Sequence, residues 1–292
     1  MPLLENKMAI LDFLNRRSGS TAAEMSFIDH LEELRWHIIR AVVAVLIGAI
    51  IVFVFVREIV DKILLAPAHD NFITYKWLCV AGHFFRLGNS LCMAGTKVSF
   101  ISTAMTGQFI SSFTIAFMGG FVVAFPYVFW EFWRFVRPAL NPKELKKTGG
   151  VIFWVSFLFF LGVAFGYYVL TPFMVNFYFS YSLSPLIEIK PTFSDYIENL
   201  IWTTVGIGVL FQMPLLVAVL TRIGIITARF LKKYRRHAFV VILIAAAIIT
   251  PSTDPFSLTL VTIPLYGLYE AGIIVASRIN KEKAKEQGEE WS

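Results

Sequence analysis

The chain has 292 residues, of which 57% are hydrophobic and only 16% charged, with a formal net charge of +6. That balance lies well outside soluble composition and places the chain in a membrane. Its apolar runs are long and unbroken, which excludes a transmembrane barrel, whose strands alternate over segments of about ten residues.

Residues 1–24, with Arg16 and Arg17 in a polar Arg-Arg-Ser-Gly-Ser-Thr stretch, are expected to form a poorly ordered extension. A cleavable signal peptide is not expected, because the basic pair follows the short apolar stretch and no small-residue cleavage site comes after it. Ser26, with an acid three residues on, opens a helix, and Met25 offers an alternative start. In that helix Phe27, Leu31, Leu34 and Ile38 share one face, while His30, Glu33, His37 and Arg40 form a second stripe. On pattern alone this is an amphipathic entry helix whose Glu33 supports His37 or Arg40. The other reading offers the carboxylate to a ligand.

Six runs free of Asp, Glu, Lys and Arg follow: Ala41–Val56, Val98–Trp130, Thr148–Ile187, Asn199–Thr221, Ala238–Thr253 and Pro255–Tyr269. A helical span needs about 20 apolar residues, so the runs predict an all-α bundle of six transmembrane helices over residues 25–280. The segment between the first two runs holds Cys79 and Cys92, which could close a ring of 14 residues. Such a ring would stabilise by about 3 kcal/mol; two half-buried thiols are the equal alternative. The third run is too long for one helix, and Pro172 is expected to stop it near Leu170, with an aromatic interfacial cap after it. The fifth run is short. Either the bilayer thins there, or Arg235, Arg236 and His237 extend the helix and snorkel. Residues 281–292 read as a charged tail.

Twenty Lys and Arg lie in the N-terminal segment, two alternate loops and the tail, and six on the other side. The positive-inside rule therefore puts both termini in the cytoplasm. The net charge is thus first a topology signal, and nucleic acid is set aside as a partner. No His-Glu-x-x-His, Gly-x-Ser-x-Gly, Walker-type loop or Cys-x-x-Cys occurs, so neither an enzyme nor a metal site is expected. A proton-coupled solute transporter is the competing class, with Gln212, Asp254 and Glu270 as its few polar candidates. Asp254 serves equally as a helix cap, and Gln212 as interhelical glue.

At "HLEELR", "LAPA", "FPYVFWEFWRFVRPALNPKE", "FQMP" and "TPSTDPFSLTLVTIPLYGLYE" the chain resembles the TatC family of the twin-arginine translocase, in order from Ser26 to about Arg278. The resemblance implies a receptor and core subunit in the bacterial cytoplasmic membrane. It would bind twin-arginine signal peptides and export folded proteins with the proton-motive force. Implied partners are TatA- and TatB-type single-span subunits, further copies of the chain and membrane lipid, with no cofactor. The family's signal-binding glutamates match Glu33 and Glu144; Arg35 and Phe135 match its motif arginine and loop aromatic. Pro67, Pro126, Gln212, Pro214, Asp254 and Glu270 match structural or partner-helix positions, with Pro126 and Pro214 expected to bend their helices. Two departures stand out: parts of the family carry glutamate at Gln212, and the loop around Cys79 and Cys92 is longer than usual.

Overall fold

The computed structural model describes residues 27–69, 71–84, 99–137, 150–180, 184, 190–249 and 255–289. The expected extension over residues 1–24, Glu144, Cys92, Asp254 and the last residues of the tail lie outside the described residues. The helices are α1 Phe27–Val54, α2 Val56–Ile59, α3 Ile73–Phe84, α4 Gly107–Val136, α5 Val151–Phe165, α6 Thr171–Ser180, α7 Phe193–Leu210, α8 Met213–Ile223, α9 Ala228–Lys233, α10 Arg235–Ile249 and α11 Pro255–Glu289. Five stretches are long and apolar enough to cross a membrane: Glu32–Val54, Gly107–Val136, Val151–Ser180, Phe193–Ile223 and Leu258–Ala284. The predicted fifth span is α10, whose 15 residues reach about 22 Å against about 30 Å of hydrocarbon.

The bundle is assembled from close helix pairs: α1 runs along α4, α5 along α7, and α11 along α8 and α10. Small residues allow the closest approach. A Cβ on Gly120 would lie 2.7 Å from Ala49 Cα, and one on Gly48 would lie 2.8 Å from Gly120 O. Without water to drive helices together inside a bilayer, such backbone proximity supplies the dispersion contact that holds them. Buried side chains such as Phe159, Ile207 and Leu265 fill the interior, while Ile50, Val54, Phe153 and Ile263 face outward. An apolar exterior is what a lipid-facing surface requires.

Pro172 does not end the third span. The helix passes from α5 through a π turn, Gly166–Leu170, into α6 and continues to Ser180. Proline removes one N–H and crowds the carbonyl a turn earlier. The wider turn relieves that crowding, and side chains satisfy its exposed groups: Thr171 Oγ1 donates to Gly166 O at 3.0 Å and Thr74 Oγ1 to Tyr168 O at 2.6 Å. Pro214 sits in the first turn of α8, where the fourth span breaks at Phe211 and Gln212. Pro126 lies inside α4, which continues through it.

At the end of the bundle past α1, hydroxyls hold irregular backbone in place. Tyr167 donates to Ile63 O at 2.6 Å, Tyr196 to Leu64 O at 2.8 Å and Tyr75 to Pro67 O at 2.8 Å. Loop carbonyls turned away from water need such partners. The fourth span opens one residue before the expected Ser194, with Thr192 Oγ1 accepting from Asp195 N at 3.2 Å.

α10 begins at Arg235, so the basic flank belongs to the helix. Arg235 Nη2 pairs with Glu270 Oε2 at 2.7 Å, and Tyr266 OH donates to Glu270 Oε1 at 3.2 Å. Both charged side chains are part-exposed, so Glu270→Gln is expected to lower stability by less than about 1 kcal/mol. A thermal-unfolding midpoint in detergent reads this directly; a loss several times larger would mean that the pair is shielded.

Candidate functional site

On α1, His37 turns inward and is only 7% exposed, while Trp36, Ile38 and Ile39 face outward, Glu33 is part-buried and Arg40 stays exposed. The apolar face seeks lipid and the polar face seeks α4, whose C-terminal turns carry Tyr127, Glu131 and Arg134 on one side at steps of four and three. Glu131 is 1% exposed. Its Oε2 lies 2.5 Å from His37 Nδ1, and its Oε1 accepts from Tyr127 OH at 3.0 Å. Arg134 Nη1 stands 3.8 Å from Oε1, and its guanidinium lies over the Trp130 ring at 5.0 Å. A buried carboxylate is tolerated only when several donors meet it, and here they do.

Glu33 completes the cluster from the outside. Its Oε1 is 3.9 Å from His37 Nε2, beyond hydrogen-bond reach, and its side chain is about one-third exposed. Two carboxylates thus flank one imidazole. The inner one is committed to the fold, and the outer one, part-exposed, is not in hydrogen-bond reach of the imidazole. Phe135 closes one side, its ring edge-on to His37 with centroids 6.4 Å apart. The expectation that Glu33 supports His37 on α1 therefore holds in part, since the stronger partner of His37 comes from α4.

The other expected residues are dispersed. Arg35 is exposed on α1. Pro67 is buried at the opposite end and offers its carbonyl to Tyr75. Gln212 is buried at the break in the fourth span; its Nε2 donates to Val155 O at 3.1 Å, while Oε1 has no hydrogen bond among the described residues. Cys79 is half-buried on α3 and disulfide-bonded. Convergence of Glu144 on Glu33 falls outside the described residues.

Glu131 escaped the sequence reading, although it is the most buried acid described. One signal pointed to it. It directly follows the charge-free run that ends at Trp130, and an acid at such depth is costly enough to need a purpose. A mostly apolar cavity of about 530 Å³, lined by Val52, Met118, Val122, Val163 and Leu200 among others, lies toward the opposite end and gathers none of the expected site residues. A smaller one of about 280 Å³ lies beside Trp133, with Arg222, Arg278 and Glu282 in its wall.

Five spans long and apolar enough to cross a membrane, two of them joined by a buried acid–imidazole pair, define a multi-spanning helical membrane protein. The family model of the Sec-independent protein translocase protein, TatC, matches residues 29–264. The TatC protein of Blattabacterium sp. subsp. Periplaneta americana is 40% identical over 261 residues, covering 89% of this chain and 98% of the relative. That of Deinococcus radiodurans is 33% identical over 267 residues, covering 91% of each. Two crystal structures of the twin-arginine translocase receptor TatC superpose with TM-scores of 0.63 and 0.67 at 26% and 28% identity. They cover 86% and 85% of this chain and 99% of their own. The chain belongs to the TatC family and is a protein translocase subunit.

Proposed function

We propose that this protein is the receptor subunit of a twin-arginine translocase and binds consecutive arginines of export signals at the α1–α4 end. The part-exposed Glu33 carboxylate, beside the buried His37–Glu131 pair within the family-matched region, carries this reading. A guanidinium makes two parallel charge-assisted bonds to a carboxylate, which the point charge of a lysine cannot reproduce. Arg134 would oppose a cationic ligand, but its contacts with Glu131 and Trp130 draw it into the cluster. Glu144 would supply the second acid, with Phe135 and Arg35 at the margin of the site.

In this reading α10 is a sixth span, both termini are cytoplasmic, and the bundle sits in the bacterial inner membrane. Export of folded cargo draws on the proton-motive force, without a cofactor. TatA- and TatB-type partner helices dock near the fourth span, where Gln212 Oε1 has acceptor capacity left. Asp254 and Glu270 serve the hairpin of α10 and α11. Cys79 pairs with Cys92, the other cysteine of the chain.

Export in cells of a folded fluorescent cargo carrying a twin-arginine signal tests this reading. Glu144→Lys is expected to abolish export of the normal signal, and acidic residues in place of the signal's arginines to restore part of it. Undiminished export by Glu144→Lys would remove Glu144 from the site. A solute transporter would respond to neither change.

A further inference from the structure

The helix α3 lies in the first segment between spans. Ile73, Trp77 and Val80 recur along it at steps of four and three and form one apolar stripe. The stripe is bare among the described residues, with Trp77 72% and Val80 69% exposed, and Ile73 more than half. The opposite face is fixed to the bundle: Tyr75 is buried with its hydroxyl on Pro67 O, Thr74 bonds Tyr168 O, and Phe72 just before the helix stacks on Tyr168 at 5.9 Å. The disulfide at Cys79 is a further restraint. The bare face is therefore held outward by a rigid attachment.

Its depth follows from the attachment. α3 rests on Tyr167 and Tyr168 through Phe72, at the end of the bundle where Tyr75, Tyr167 and Tyr196 cap the loop carbonyls. Exposed Arg57, Glu58, Asp61 and Lys62 follow the apolar run of α1 at this end, as where a span leaves the hydrocarbon for the headgroup level of a bilayer. Outward-facing Val54, Phe55, Ile63 and Tyr168 lie at the same end, so lipid-exposed span surface extends to the base of α3. The charge also fits. α3 contains Lys76, exposed beside Trp77, and no Asp or Glu.

We propose that α3 is an interfacial helix, which seats Ile73, Trp77 and Val80 among the acyl chains of the adjoining leaflet and places Lys76 at the phosphates of anionic phospholipids. A helix with an aromatic–aliphatic stripe and a flanking lysine lies in the plane of an interface by this division of labour. The inference needs only that the spans cross a bilayer, so it stands apart from signal recognition at the other end.

The full chain is reconstituted into phosphatidylcholine–phosphatidylglycerol vesicles, and the emission of Trp77 is taken as the difference between the protein and its Trp77→Phe variant. That replacement touches only an exposed ring, so folding is retained. With lipids brominated at carbons 6 and 7 of one acyl chain, most of the Trp77 emission is expected to be quenched, while aqueous iodide leaves it nearly unchanged. Val80→Asp, measured in the same way, is expected to reverse the preference toward iodide. Quenching of Trp77 by iodide and not by bromolipid would put the stripe in water and overturn the proposal. Quenching by neither would mean a protein cover, such as a second copy of the chain, and would overturn it equally.

Discussion

Alanine at position 131 is expected to destabilise the folded protein by about 3–5 kcal/mol, the cost of removing one partner from a buried acid–imidazole pair. His37 would then be left in a dry pocket without its acceptor, and Tyr127 OH would lose its bond as well. Equilibrium unfolding in mixed micelles measures the loss. A His37→Leu, Glu131→Leu double replacement is expected to recover most of it, because two apolar side chains can replace a buried pair at little cost. The cycle thus separates the expense of an orphaned imidazole from the net worth of the pair. A single-mutant loss below about 1 kcal/mol would mean that water reaches Glu131.

Leucine at Gly120 is the second large effect, expected to cost about 3 kcal/mol, at the upper end for overpacking. The obstacle is backbone. A Cβ there meets Ala49 and Gly48 main-chain atoms, which cannot step aside as a flexible side chain would. α1 and α4 would have to separate, which also pulls His37 from Glu131, so the two sites are expected to be coupled in a double-mutant cycle. Alanine at the same position is expected to be milder yet still destabilising. Neutral behaviour of Gly120→Leu would show that the two helices slide freely past each other.

The spans were legible because each is an unbroken apolar run, and Pro214 was legible because a proline early in a helix is a boundary signal. Pro172 has the same signature and the opposite outcome. What distinguishes it is the π turn before it and the Thr74 hydroxyl on Tyr168 O, a partner from a helix 94 residues away in sequence. Pairing across that distance is invisible to periodicity. His37 shows the same limit: spacing placed it beside Glu33, at four residues, and could not show that Glu131 reaches it from α4. α3 went unread because its stripe of three apolar residues is too short to stand out in a greasy loop. Resemblance supplied the family and the role proposed for Glu33, and the packing supplied the reason that Glu33, unlike the buried Glu131, stays part-exposed.

Equilibrium binding of a labelled twin-arginine signal peptide to the detergent-solubilised protein tests the central claim most directly, run beside a twin-lysine peptide and a Glu33→Ala, Glu144→Ala variant. Binding is expected to weaken by about tenfold or more on either change, the worth of one or two charge-assisted hydrogen bonds. Equal affinity for both peptides, undiminished by loss of the two acids, would contradict it and return the α1–α4 end to a purely structural role.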